Sequence, residues 1–173
     1  MCDNGEEVSL LDIEGNITFR ARVWAAFERY VEFCERFKPD IETVELSLVS
    51  PELGYAGTLD RIMVVNGKRY LVDIKTGNGI HNHFWLQAAS YVKLYNQFFP
   101  EVNIDGVAIL WLNAKTRTEG KKGDIQGKGW QLIFPPKPID YYWKLFLHTK
   151  ALWLEEHEDD KPRNITYQIS HKK

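Results

Sequence analysis

The stretch GTLDRIMVVNGKRYLVDIK, from Gly57 to Lys75, decides the fold. Two apolar runs flank Asn66-Gly67. Asn-Gly between such runs signals a two-residue hairpin, because both central residues of a type I′ turn need positive φ. With Asn66 and Gly67 as the loop, Val65 pairs with Lys68 and Val64 with Arg69, and continuing the count sets Asp60 opposite Asp73. Opposed residues in an antiparallel pair have Cβ atoms about 4.5–5.5 Å apart, and like charges there are destabilising. A divalent cation between the carboxylates would compensate, since Mg²⁺ takes oxygen ligands at about 2.0–2.1 Å. Lys75 lies two residues past Asp73 and so points to the same face. On pattern alone two readings stay open: a surface hairpin with its charges in water, or one face that presents Asp, Asp and Lys together. A slip of one residue would reverse the faces.

Working outward, residues 42–50 alternate apolar and polar side chains, as a strand does. Strands are expected over 56–65 and 68–74, then a break at Thr76-Gly77-Asn78-Gly79. Apolar residues at three- and four-residue steps predict a helix over 18–37, capped by Asn16 or Thr18 and stopped before Pro39. A second helix is expected over 83–98, with Phe84, Ala88, Tyr91, Tyr95 and Phe98 in one stripe. Residues 105–112 form a nearly continuous apolar run, which suits a central strand covered on both faces. A long loop over 113–128, a strand over 130–134 and a third helix over 139–156 complete the order. Trp24, Trp85, Trp143 and Trp153 read as packing residues. The sum is an α/β (α+β) layer arrangement, with helices packed on a largely antiparallel sheet.

The chain has 173 residues, enough for one domain over 1–173 with a sizeable core. Residues 1–16 carry five acidic side chains and no Lys or Arg, as a mobile end does, and 159–173 read as a tail. The net charge of −2 does not by itself advertise a nucleic-acid partner. Cys2 and Cys34 form no CxxC pair, so no thiolate metal centre is expected, and a reducing cytoplasm is the expected setting. The longest apolar run is far too short to span a bilayer, so no membrane partner is expected. Between Asn113 and Lys137 the basic residues Lys115, Arg117, Lys121, Lys122, Lys128 and Lys137 outnumber Glu119 and Asp124. Such a loop suits sequence-independent contact with a nucleic-acid backbone, or plain solubility.

Gly57-Thr-Leu-Asp60, Asp73-Ile-Lys75 and Gln87-Ala-Ala-Ser-Tyr91 follow one another in this order. They resemble the three signature motifs of the PD-(D/E)XK nuclease superfamily, in its RecB-like branch of phage and mitochondrial exonucleases. The resemblance covers about residues 42–112. It implies a restriction-endonuclease-like core and a metal-dependent deoxyribonuclease, with exonuclease action in DNA recombination, repair or replication. Its partner would be DNA, bound with little sequence specificity. Its cofactor would be Mg²⁺, with Mn²⁺ as a substitute. Asp60 and Asp73 would be metal ligands, joined by the Ile74 carbonyl and by an upstream acid, Glu45 first and Glu42 second. Lys75 would assist the attacking water, and Gln87 and Tyr91 would stand beside the metal and the DNA backbone. Thr76 and His83, with Lys115, Arg117, Lys121 and Lys122, would contact the nucleic acid. The subgroup that carries an iron–sulfur cluster on four cysteines is excluded, since this chain has two cysteines. A non-catalytic nucleic-acid-binding or assembly module, an endonuclease and an RNA-acting nuclease are the alternatives.

Overall fold

A computed structural model describes residues 8–11, 15–17, 19–113 and 129–159. In chain order the elements are α1 (Ala21–Phe37), β1 (Asp40–Ser50), β2 (Tyr55–Val65), β3 (Lys68–Lys75), α2 (Asn82–Phe98), β4 (Gly106–Trp111), β5 (Gln131–Ile133) and α3 (Ile139–Glu156). The strands form one mixed sheet in the order β1-β2-β3-β4-β5. All neighbours are antiparallel except β3 and β4. Helix α2 connects these two, since a parallel pair needs a crossover rather than a hairpin.

Alternation along the strands sorts the core into two clusters. Leu71, Val107, Ile109 and Trp111 face one side, where Trp85, Ala88, Ala89, Val92 and Tyr95 of α2 and Tyr142 of α3 pack on them. Val72, Ala108, Leu110 and Leu112 face the other, against Tyr30 and Phe33 of α1. Strand β4 is therefore buried on both faces, as its continuous apolar run predicts.

Asn66 and Gly67 have φ of 52° and 75°, the positive pair a type I′ turn requires. The β2–β3 register runs as counted from the turn, Val65↔Lys68 through Arg61↔Val72. It stops there, one step short of Asp60 and Asp73. On its other side β2 faces β1, whose register omits the Glu45/Asp60 position. Glu45 itself has φ of 49°, a left-handed conformation uncommon outside glycine. Above and below this point the pleat changes phase: Leu59 and Ile62, three residues apart, both enter the α2-side cluster. Strict alternation would put them on opposite faces. The irregularity lets Leu59 fill the core while the phase counted from the turn holds for Asp60.

Several expectations need correction. Helix α1 begins at Ala21 with Arg20, not Asn16, as its N-cap, and Thr18 lies outside the described residues. Strand β1 starts at Asp40, and a register shift between Ile41 and Thr43 accommodates Glu42. Trp153 is 54% exposed and stacks on His157 rather than packing in the core. Phe98, assigned to the buried stripe of α2, is 45% exposed at the helix end. Trp85 is buried, as expected. The basic residues Lys115, Arg117, Lys121, Lys122 and Lys128, the end of the tail and most of the acidic start lie outside the described residues.

Candidate active site

Strands β2 and β3 and helix α2 bring five of the predicted side chains together. With the ladder ended at Arg61↔Val72, the Ile74 N–H donates to Asp60 Oδ2 at 2.7 Å. The Asp60 carboxylate is thereby fixed against the backbone of β3, directly beside Asp73. The two acids are not a ladder pair: Asp60 bonds to the backbone next to Asp73, and its charge acts on the Asp73 carboxyl. The side chain of Ile74 turns to the opposite face and packs against the α1-side cluster.

Asp73 is 2% exposed. Its Oδ2 lies 2.7 Å from Lys75 Nζ, the ion pair that alternation along β3 permits. Lys75 Nζ also donates to Gln87 Oε1 at 3.0 Å. Gln87 Nε2 in turn donates to the Tyr91 hydroxyl at 2.9 Å. Asp73, Lys75, Gln87 and Tyr91 thus form one polar chain from the sheet to the helix. Gln87 and Tyr91 reach it together because residues four apart share a helix face.

Burial dominates the electrostatics. Loss of water pushes the Asp73 carboxyl above its ordinary pKa; Lys75 opposes this, and the Asp60 charge adds to it. Burial likewise raises the Tyr91 hydroxyl, with the charges of Asp73 and Asp60 adding to the rise. Tyr91 is therefore a neutral hydrogen-bonding group here. A buried acid beside a second acid is a site that favours a bound cation.

Whether the donors suit a divalent metal turns on their number. Among the described residues no group of three or more His, Cys, Asp or Glu is placed to hold a metal. Two carboxylates do suit Mg²⁺, which commonly binds through one or two and keeps water or phosphate oxygens for the rest. Among the described residues the desolvated Asp73 carboxylate has Lys75 as its close counter-charge, so the donor pair fits such an ion. It does not make a closed protein cage.

The proposed third acid does not join the pair. Glu45 is exposed and makes no hydrogen bond or ion pair among the described residues. Glu42 is engaged elsewhere: Arg69 Nε and Nη2 grip its two oxygens at 2.6 Å each. That hydrogen bond holds the Glu42 carboxyl below its ordinary pKa. Thr76 and His83 are exposed, just beyond β3 and in the first turn of α2. Arg61 pairs with Val72 of the α1-side cluster and donates to the Asp60 carbonyl at 2.7 Å.

Two members of the site escaped the sequence reading. The Phe84 ring lies under Lys75, with Nζ 4.7 Å from its centroid. Its position three residues before Gln87 was the available signal. The second is the reason for Gly57. A Cβ there would fall 2.4 Å from Cε1 and 2.9 Å from Cδ1 of Tyr91, so β2 must be bare for Tyr91 to lie across it. No described helix is long and apolar enough to cross a membrane. No protein-family model matches the chain, and no curated protein matches it either.

Proposed function

We propose that this chain is a metal-dependent deoxyribonuclease of the PD-(D/E)XK superfamily, RecB-like in type, with a restriction-endonuclease-like core. The observation that carries the reading is the polar chain Asp73–Lys75–Gln87–Tyr91 with Asp60 locked beside it. A hairpin with solvated charges would not bury one acid and tether its lysine to a helix. Resemblance favours exonuclease action, in recombination, repair or replication.

Asp60 and Asp73 would hold Mg²⁺ or Mn²⁺. The ion, when bound, supplies a nucleophile at neutral pH and neutralises the phosphate. Lys75 is ion-paired with Asp73 and donates to Gln87, so its ammonium is aimed without relying on the carboxylate alone. From there it orients the attacking water and offsets charge on the phosphate oxygens. Gln87 fixes the lysine. Tyr91 fixes Gln87 by accepting its amide proton, and its hydroxyl proton is left to donate toward the substrate backbone.

A non-catalytic nucleic-acid-binding module is the competing reading, favoured by the lack of a third acid among the described residues. End-labelled DNA and RNA, incubated with the protein and Mg²⁺ or Mn²⁺, separate the two. The expected result is cleavage of DNA that chelation abolishes and that Lys75→Ala slows by on the order of 10²–10⁴-fold, as loss of a proton-transfer or charge-stabilising group does. DNA retained without cleavage under every metal would support the module instead.

A further inference from the structure

A second cleft lies on the α1 side of the sheet, at the turn end of the hairpin, away from the carboxylates. It is a cavity of about 540 Å³ walled by Phe37, Tyr70, Trp130 and Phe134, with Arg36 and Lys68 on its rim. The cleft is built from packed parts. Tyr70 can lie against β4 because Gly106 stands opposite it; a Cβ there would come 3.0 Å from the ring. The Arg36 guanidinium rests on Phe37 and Trp130, 5.7 and 5.9 Å from their centroids. Phe134 is 50% exposed yet held 5.5 Å from Tyr70. Trp130 is 8% exposed, and its buried indole N–H has no hydrogen-bond acceptor among the described residues. A buried donor left unmatched is costly, which points to a ligand that offers an acceptor as well as an apolar face.

The lining contains two cations and no acid. Aromatic faces beside fixed cations suit an anion with π surfaces. A single-stranded nucleic acid has both: bases that stack without regard to sequence, and phosphates for Arg and Lys. We propose that this cleft binds an unpaired nucleic-acid strand, with one base stacked on the exposed ring of Phe134, which Tyr70 backs, and its phosphates on Lys68 and Arg36. An acceptor on that base, seated against the edge of Trp130, would answer the indole. Asp73 lies five steps along β3 from Lys68, about 17 Å at strand rise, and on the other face of the sheet. The cleft therefore grips a nucleotide remote from the reacting one. The choice of a nucleic-acid strand rests on the nuclease reading above; the cleft itself does not.

The test measures anisotropy of a labelled oligothymidylate with the full chain in EDTA, which silences cleavage, while cleavage is assayed separately in Mg²⁺. Binding is expected, with Phe134→Ala weakening it by about tenfold, the lower range for loss of one stacked base. Lys68→Gln is expected to reduce the slope of log affinity against log salt by about 0.7, one single-strand phosphate contact. Both positions are exposed, so both variants should keep the wild-type circular dichroism. Normal binding by both variants, no binding by the wild type, or equal competition from thymidine monophosphate would each overturn the proposal. Binding through the cleft without cleavage in Mg²⁺ would sink the nuclease reading alone. Cleavage with normal binding by both variants would sink the cleft alone.

Discussion

Asp73 concentrates the electrostatic tension of the molecule. Its carboxyl is almost wholly buried, and the Lys75 ion pair does not cancel the lost hydration, so its pKa is raised on folding. The sign follows from linkage. A folded pKa above the unfolded one means that the folded state binds the proton more tightly. The contribution to stability is complete below the unfolded pKa and is lost as pH rises through the folded pKa. At neutral pH the ionised Asp73 therefore destabilises the metal-free fold. Asp73→Asn, which keeps the shape and removes the charge, is expected to raise the melting temperature in EDTA at pH 7. The gain should vanish on acidification below the ordinary aspartate range. Thermal melts across pH check this; a variant less stable than wild type at pH 7 would mean that the ion pair outweighs burial. The faces of Asp60, Asp73 and Lys75 were legible from alternation and one turn. The ionic state of Asp73 was not, because desolvation depends on what α2 lays over it.

At the scale of elements, the contact of β2 with α2 determines whether the polar chain forms. Gly57 leaves room for the Tyr91 ring, and Tyr91 accepts from Gln87, which holds Lys75. Gly57→Ala should force the ring aside at an overpacking cost of about 1–3 kcal/mol. For a chain of this size that corresponds to a melting temperature lower by roughly 2–12 °C. Tyr91→Ala removes the obstructing ring, so the double variant should lose less than the sum of the singles. Strict additivity in melting experiments would show that the two residues do not meet. The hairpin was readable through Arg61↔Val72 because Asn66-Gly67 pins its register. The irregularity of β1 was not, since a glutamate at φ of 49° carries no sequence signal of the kind glycine does. Glu45, and Glu42 after it, were expected as ligands from the resemblance alone; Glu45 is exposed and Arg69 claims Glu42.

On the scale of the whole molecule, the sheet separates two surfaces. The α2 side carries the paired carboxylates, and the α1 side carries the aromatic and cationic cleft. The layering and the succession of elements along the chain followed from periodicity, whereas the parallel pairing of β3 with β4 was not read in advance. The cleft was not legible, because its walls come from α1, β3 and the residues around β5, far apart in sequence. Under the proposed function Asp60 and Asp73 would share one ion. Mn²⁺ binding measured by calorimetry on wild type, Asp60→Asn, Asp73→Asn and the double variant tests it without recourse to activity. Either single change should remove most of the affinity and the second should add little, a coupling of about 0.5–3 kcal/mol as for residues with a common partner. Mn²⁺ binding that is absent from the wild type, or that survives both substitutions, would contradict the account.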